Sequence, residues 1–278
     1  MKHPVVKRFM RRKVSVIAGI ILILVILIAV LGPLLYRVDP LLQEPTNKYA
    51  PFSLLHPLGT DNLGRDTLSR MIYGARLSLL ISFAGVFSGG AVGVLLGVLA
   101  GYLGGAVDAL ISRFIDLLLA FPGLLLAITI VAILGPSTGN TIIAVAIFSV
   151  PGMCRMVRGC VISLKNSEYI QACRVMGEKN GRIILTHIIP NTMSQIIVNM
   201  TLNLGTAILT ASSLSFLGMG VTPPDPEWGA MLSTAREVVR TYPQGVLVPG
   251  LAITIVVMSF SLVGDGLRDA LDPKLKNV

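Results

Sequence analysis

Three stretches of this chain carry side chains that could do chemistry, and in each the chemistry on offer is recognition rather than bond making. Glu168 to Asn191, reading EYIQACRVMGEKNGRIILTHIIPN, is the longest charged segment between two long apolar ones, and its Arg174, Lys179 and Arg182 can pair with acidic groups on another surface. Asn191, Gln195, Asn199, Asn203, Thr206, Thr210 and Ser213 recur at steps of three or four, which gathers amides and hydroxyls on one slowly turning helix face. Amides in lipid need partners or water, so this stripe reads either as interhelical hydrogen bonding or as the lining of a hydrated path. The third stretch holds Asp61, Arg65, Asp66 and Arg70, with Asp66 and Arg70 spaced i,i+4; it reads either as a solvated, salt-bridged helix or as a contact surface for another protein. A proline-rich loop with Pro223, Pro224 and Pro226 carries the only tryptophan, Trp228, which suits an outer gate, a docking surface or an interfacial anchor.

No catalytic residue is identified. The chain has no Gly-Lys pair and no Walker A pattern, no HExxH and no paired aspartates within a central apolar run, and Gly135 to Gly139 has the letters of GxSxG but reads as part of a short external turn, GPSTGN. No metal site is expected either, because Cys154, Cys160 and Cys173 include no CxxC and have no nearby pair of histidines. The apolar runs also lack the buried Asp, Glu or His relay of a proton-coupled carrier. If the chain moves a solute uphill, the energy must come from another subunit.

These groups have to be positioned by membrane-spanning elements. Charged residues make up 13% of the 278-residue chain, against ~25% in soluble domains, and apolar residues 53%. Six uncharged or nearly uncharged runs reach the ~20 residues needed to cross a bilayer: Val14 to Leu35, Leu77 to Leu103, Ala109 to Leu134, Thr141 to Val161, Asn191 to Leu217 and Gly245 to Gly264. The fold class is therefore all-α, a polytopic membrane protein with six spans. The first run follows six basic residues and exceeds the ~7 to 15 residues of a signal-peptide core, so it reads as a retained anchor. Placing the N-terminus in the cytoplasm puts sixteen Lys or Arg inside and seven outside, the bias expected of cytoplasmic loops. Both termini are then cytoplasmic, and so is the Glu168 stretch. The net charge of +9 is read as topology, with no nucleic-acid binding, because the basic residues are not interleaved with aromatic platforms.

Local signals refine this picture. Glu168 to Met176 reads as a short helix ended by Gly177, and Gly181 to Ile189 as a restart that stops at Pro190. His56 to Leu79 reads as an external segment with a helix lying at the outer interface, which divides the chain into 1–76 and a transmembrane domain of 77–278 with its loop at 164–190. Glycines at 85, 89, 93, 97, 101 and 105 form a ridge able to serve more than one neighbour. Pro122 and Pro151 would kink their helices, Arg113 can pair with Asp116, and Asp272-Pro273 reads as a helix stop.

The QAC triplet Gln171-Ala172-Cys173, followed by Gly177 and Ile189-Pro190-Asn191, resembles the EAA loop of permease subunits of binding-protein-dependent ABC importers. It departs from the general pattern at Gln171 for Glu, Cys173 for Ala and His187 for Ile. The segment HPLGTDNLGRDTLSRMIYGARLSL, with the first span, and the ending VGDGLRDALDPKL are similar to the C-type permeases of the oligopeptide and dipeptide subfamily, which also includes nickel importers. The resemblance implies a coupling helix that docks on an ATPase, built from Glu168, Tyr169, Gln171, Ala172, Cys173, Arg174, Gly177, Arg182, His187 and Pro190. It also implies a bacterial inner-membrane location, a homologous B-type permease partner, two ATPase subunits that carry ATP and Mg, an extracytoplasmic solute-binding protein, and lipid around the spans. The polar stripe supplies the candidates for lining the pathway at the interface with that second permease, and Asp61, Arg65, Asp66, Arg70, Pro224 and Trp228 are external docking or gate candidates. Peptide, glutathione-type and nickel-chelate import are all compatible with it, and a self-sufficient secondary carrier or channel is the alternative of another class.

Overall fold

With so few charged side chains, the backbone must satisfy its own polar groups, and it does so as helices. The computed structural model describes residues 4–271; Lys2, the expected Asp272-Pro273 stop, Lys274 and Lys276 lie outside them. In chain order the helices are α1 (Pro4–Arg11), α2 (Lys13–Leu35), α3 (Thr67–Leu103), α4 (Gly105–Leu119), α5 (Gly123–Leu134), α6 (Thr138–Lys165), α7 (Glu168–Val175), α8 (Asn180–Ile183), α9 (Ile189–Phe216), α10 (Trp228–Ala235) and α11 (Gln244–Leu271). Among the described residues, five helical runs are long and apolar enough to cross a membrane, namely α2, α3, α6, Asn180–Phe216 and α11, and α4 with α5 makes a sixth if the bent pair counts as one.

Glycines decide how these helices meet. A β-carbon added at Gly89 would lie 2.1 Å from the Ala146 carbonyl oxygen, at Gly93 2.9 Å from that of Val150, at Gly97 2.7 Å from that of Cys154 and at Gly101 2.9 Å from that of Arg158. Gly85 extends the row against Val145 and the Ile142 carbonyl. The partners advance four residues at each step in the same direction, so α3 and α6 run parallel with their backbones in contact. A repeat of four residues overshoots the ~3.6 of a helical turn, and the seam stays closed only if the two helices coil about each other with a right-handed sense. This ridge therefore serves one neighbour rather than several. Gly105 lies beyond it, with a φ of +55° and no atom within 4 Å of a β-carbon. Gly90, one residue off the row, faces Met200 of α9 instead.

Two parallel helices cannot be joined by a hairpin, so α4 and α5 must carry the chain back across the thickness of the bundle. They do this as a corner of 89° rather than a kinked span. Pro122 cannot continue a helix, and Gly123 leaves room for the Phe148 ring 2.2 Å from where its β-carbon would be. Pro151, in contrast, lies inside an unbroken α6. Asp116 pairs with Arg155 of α6 at 2.6 Å, not with Arg113, because α4 is held on α6 here and by the two-bond Arg158–Asp108 pair at 2.5 and 2.7 Å. On the other side of α3, α2 packs through Gly32 against Ile72 and crosses to α11, where the Ser15 hydroxyl donates to the Leu262 carbonyl at 2.9 Å and Arg12 pairs with Asp269. α9 approaches α11 at Gly205 and Gly264.

The expected interfacial helix is instead the start of α3, which begins at Thr67 and passes residue 76 without a break. Asp66 caps it by accepting from the Ser69 amide at 2.7 Å, and Ile72, Ala75 and Leu79 are buried on its inner face. Ser69 and Arg70 find their partners in the protein, on the Val38, Pro40 and Pro224 carbonyls, rather than at the membrane surface.

We expect Gly89→Ala to cost about 1 to 3 kcal/mol by forcing α3 away from α6, read as a lower thermal-unfolding midpoint of the purified chain in detergent. Gly139→Ala, at a helical site with no atom within 4 Å of a β-carbon, should leave the midpoint unchanged.

Candidate functional site

Leaving α6, the chain turns at Ser167 and forms α7, whose Ile170 and Cys173 are spaced to share one face and are both buried. They pack with Val98 and Tyr102 of α3, Val157 and Val161 of α6, and Ile183, Ile188 and Ile196 of the chain that follows. The opposite face stays exposed. It shows Glu168, Tyr169, Gln171 and Ala172, with Val175 at 88% and Met176 at 78% exposure.

Gly177 ends α7 with a φ of +81°. The Gly177 amide donates to Arg174 O and the Glu178 amide to Cys173 O, both at 3.0 Å, the paired bonds of a Schellman cap. Nothing lies within 4 Å of a β-carbon at Gly177, so its requirement for glycine is conformational rather than steric. The chain restarts as α8 at Asn180 and does not stop at Pro190. Ile184–Ile188 widens into a π-turn in which the Ile189 amide bonds to Ile184 O, five residues back. The extra residue accommodates the missing amide of Pro190, and the Asn191 side chain donates to His187 O at 2.7 Å.

This elbow sits on the end of the α3–α6 seam. Lys165 donates to the Gly101 and Tyr102 carbonyls at 3.1 and 3.2 Å, placing a cation on the C-terminus of α3. The Tyr102 hydroxyl donates to Asn180 Oδ1 at 2.8 Å, and the Arg174 guanidinium lies 5.3 Å from the centre of the Tyr102 ring. Arg182, expected to reach outward, pairs within the elbow with Glu178 at 3.4 Å. Cys173 Sγ lies 3.8 Å from His187 Nε2, which is 3.2 Å from Glu178 Oε2. Burial, reinforced by the bond to and charge of Glu178, raises the Cys173 thiol above its ordinary pKa.

Along α9, the stripe of Asn191, Gln195, Asn199, Asn203, Thr206, Thr210 and Ser213 is for the most part exposed or half-buried, with only Thr210 buried. Interhelical partners are few: Gln195 meets Cys160 of α6 and Asn191 meets Tyr169 of α7 at 3.4 Å. Asn203 donates to Asn199 at 2.9 Å, and Thr206, Thr210 and Ser213 donate to carbonyls four residues back in their own helix. Ser213 also lines an open cleft of about 360 Å³ with Leu124, Leu209, Phe216 and Leu217.

The third group is neither a solvated helix nor a free surface. Arg65, Asp66, Arg70 and Trp228 are buried, and Asp61 is half-buried. Asp61 takes Arg65 at 2.7 Å and Arg70 at 3.5 Å, Asp66 takes His56 at 2.9 Å rather than Arg70, and Arg70 donates to the Pro40 and Pro224 carbonyls at 3.1 and 3.3 Å. The Trp228 indole donates to Met71 O at 3.1 Å, which takes it off the lipid interface. Only Pro224 of this set is exposed. Glu227 belongs to no motif in the sequence. At 0% exposure it accepts from Ser78 at 3.0 Å, Ser212 at 3.2 Å and the Ala230 amide at 2.9 Å, tying α3, α9 and α10 together. Its position just before an apolar helix was the available signal.

Residues 93–277 match the family described as the binding-protein-dependent transport system inner membrane component, and residues 3–56 match the N-terminal TM domain of oligopeptide transport permease C. The chain is 49% identical over 271 residues to the dipeptide transport system permease protein DppC of Alkalihalophilus pseudofirmus, covering 98% of this chain and 89% of that one. It is 46% identical over 276 residues to the glutathione transport system permease protein GsiD of Escherichia coli, covering 99% and 91%. Among solved structures, the MetNI methionine ABC transporter in an inward-facing conformation matches with a TM-score of 0.62 at 16% identity, covering 73% of this chain and 97% of that one. An amino acid ABC transporter with histidines matches at a TM-score of 0.55 and 16% identity, over 71% and 92%. At these identities the structural matches show a shared fold.

Tyr102→Phe should loosen the elbow by about 1 kcal/mol, the net worth of one hydrogen bond. Hydrogen exchange of residues 168–188 should speed up while exchange in α11 stays unchanged.

Proposed function

The chain belongs to the family of binding-protein-dependent transport system inner membrane components, and from that premise we propose that it forms half of the translocation pathway of an ATP-driven importer for dipeptides or related short peptides. Its partners in this reading are a homologous B-type permease, two ATPase subunits that bind ATP and Mg, an extracytoplasmic solute-binding protein and the surrounding inner-membrane lipid. Both termini and the α7–α8 elbow lie on the cytoplasmic side, where the basic residues gather.

The observation that carries the reading is the elbow: a polar, glycine-hinged segment with an exposed face of Ala172, Val175 and Met176, fixed by its other face to the end of the closest-packed helix pair. Small and apolar side chains on the exposed face admit close docking in a groove of the ATPase, and the exposed Glu168 and Lys179 are placed at its rim for polar pairing. When the ATPase pair closes on ATP, the elbow moves. Ile170 and Cys173 press on α3 and α6, Tyr102 follows through Asn180, and the π-turn passes the displacement into α9 without a flexible joint. The stripe on α9 then opens or closes the path against the second permease. Its sparse interhelical hydrogen bonding supports that role, since a face made to bind its own neighbours would have found partners.

On the outer side, the buried Asp61, Arg65, Asp66, Arg70, Glu227 and Trp228 hold the loop before α3 against the loop before α10. We take the exposed turn at Pro224 that they brace as the part that meets the solute-binding protein. Peptide specificity is supported by the two relatives above, both named for short peptides; a nickel chelate is the alternative cargo within the same architecture.

Uptake of labelled dipeptide by proteoliposomes holding the whole importer tests the hinge. Gly177→Val should lower the ATP-driven rate at least tenfold, because a β-branched residue resists a φ of +81°, while Gly177→Asn should retain most of it. Full uptake with Val would contradict the coupling role. In a background lacking the native cysteines, Asn199→Cys, Asn203→Cys and Thr206→Cys should react with a water-soluble thiol reagent in at least one nucleotide state; protection of all three in every state would remove the stripe from the path.

A further inference from the structure

The elbow brings together three side chains that the chain keeps well apart: Cys173 in the last turn of α7, Glu178 just past the Gly177 hinge and His187 in the π-turn before α9. One ligand atom from each, Cys173 Sγ, Glu178 Oε2 and His187 Nε2, lies within 4.8 Å of the others. The sulfur-to-nitrogen distance is 3.8 Å and the nitrogen-to-oxygen distance 3.2 Å. In a tetrahedral zinc centre with bonds of ~2.3 Å to sulfur and ~2.0 to 2.1 Å to nitrogen and oxygen, the corresponding edges come to ~3.5 and ~3.3 Å. Both measured edges lie within a few tenths of an ångström of those values.

We propose that the elbow is a binding site for a divalent transition-metal ion of the zinc class, held by Cys173, Glu178 and His187 with a water in the fourth position. A sulfur, an imidazole and a single carboxylate oxygen are the donors such ions prefer, whereas Mg and Ca take oxygen. The half-exposed His187 and Glu178 leave an approach from solvent. Arg182 touches Glu178 through the other oxygen, Oε1, at 3.4 Å, and its side chain is largely exposed, so it can stay or swing aside as the ion enters. Binding replaces the thiol proton of Cys173 by the metal, with the proton leaving to solvent. The C-x4-E-x8-H spacing matches no linear metal motif, so the site shows only once the elbow is folded.

The three ligands straddle the hinge. A bound ion would link the residues before Gly177 to those after it and to the root of α9, fixing the elbow at one angle. That consequence, slower transport when metal is bound, rests on the coupling role proposed above; the site itself rests on geometry alone.

The test uses the purified importer complex without a polyhistidine tag, stripped with a chelator and titrated with Co(II) as a spectroscopic stand-in for zinc. One equivalent per copy of this chain should produce a thiolate-to-cobalt charge-transfer band and the strong visible bands of four-coordinate cobalt, both abolished by equimolar Zn(II). Cys173→Ala should erase the charge-transfer band, Glu178→Gln and His187→Gln should weaken binding at least tenfold, and Cys160→Ala should change nothing. Glu178 is half-exposed, so its variant reports even if Cys173→Ala fails to assemble. No thiolate band in the unmodified complex at a large cobalt excess, or a band that survives Cys173→Ala, would overturn the site. In proteoliposomes, Zn(II) should slow uptake several-fold in the unmodified importer, reversibly on chelation, and should not slow uptake by the Cys173→Ala importer. Uptake indifferent to zinc while the cobalt band is present would overturn the effect on transport and leave the coupling role to the hinge experiment.

Discussion

Five glycines of α3 pressed against successive backbone carbonyls of α6 hold the rest of this structure in place. In a bilayer no hydrophobic effect distinguishes a helix neighbour from a lipid tail, so helices associate through close contact and well-placed polar groups. Removing the β-carbons along one row lets the two backbones meet. Because the pair is parallel, the chain must return between them, and the right-angled α4–α5 corner is how it does so. Arg155 and Arg158 pin that corner to α6, and α2, α9 and α11 then pack around the remaining faces of the pair.

The end of the same seam is the floor on which the elbow rests. Lys165 closes the C-terminus of α3, Tyr102 reaches Asn180, and Ile170, Ile183 and Ile188 complete a buried cluster shared by α3, α6 and the elbow. A segment so attached cannot shift without moving α3, α6 and α9 together. The opposite end is held by buried polar contacts, with Glu227 collecting three donors and Arg70 reaching two loop carbonyls. Such groups are costly to bury unless satisfied, and Glu227 and Arg70 both have partners, which ties the loops at this end together. Two ends braced in different ways, one by buried polar contacts and one by an apolar cluster under the elbow, suit the lever proposed for a member of a family of transporter membrane components.

The helices were legible from the apolar runs because membrane spans follow from length and composition alone. The glycine ridge was visible too, but its partner was not: carbonyls belong to every residue, so nothing in α6 advertises that it receives the ridge. Gly177 was readable as a helix end since few residues tolerate its backbone angle. Pro190 was misread as a stop, because whether a proline ends a helix depends on a π-turn that forms from Ile184 onward. Asp66 and Arg70 have the spacing of an ion pair on a helix, yet Asp66 lies before the helix and caps it, which sends Arg70 to the loops. Cys173, Glu178 and His187 meet only because the elbow folds back on itself, and Glu227 becomes a shared acceptor only where α3 and α9 close over it.

In the proposed coupling, the ATPase drives this subunit through the exposed face of α7. The most direct measurement places a photocrosslinking side chain at Val175, 88% exposed on that face, and another at Leu217, 51% exposed at the far end of α9. In the assembled importer, Val175 should give an adduct with the ATPase subunit whose yield changes when ATP is added, and Leu217 should give none. No ATPase adduct from Val175, or equal adducts from both positions, would contradict it.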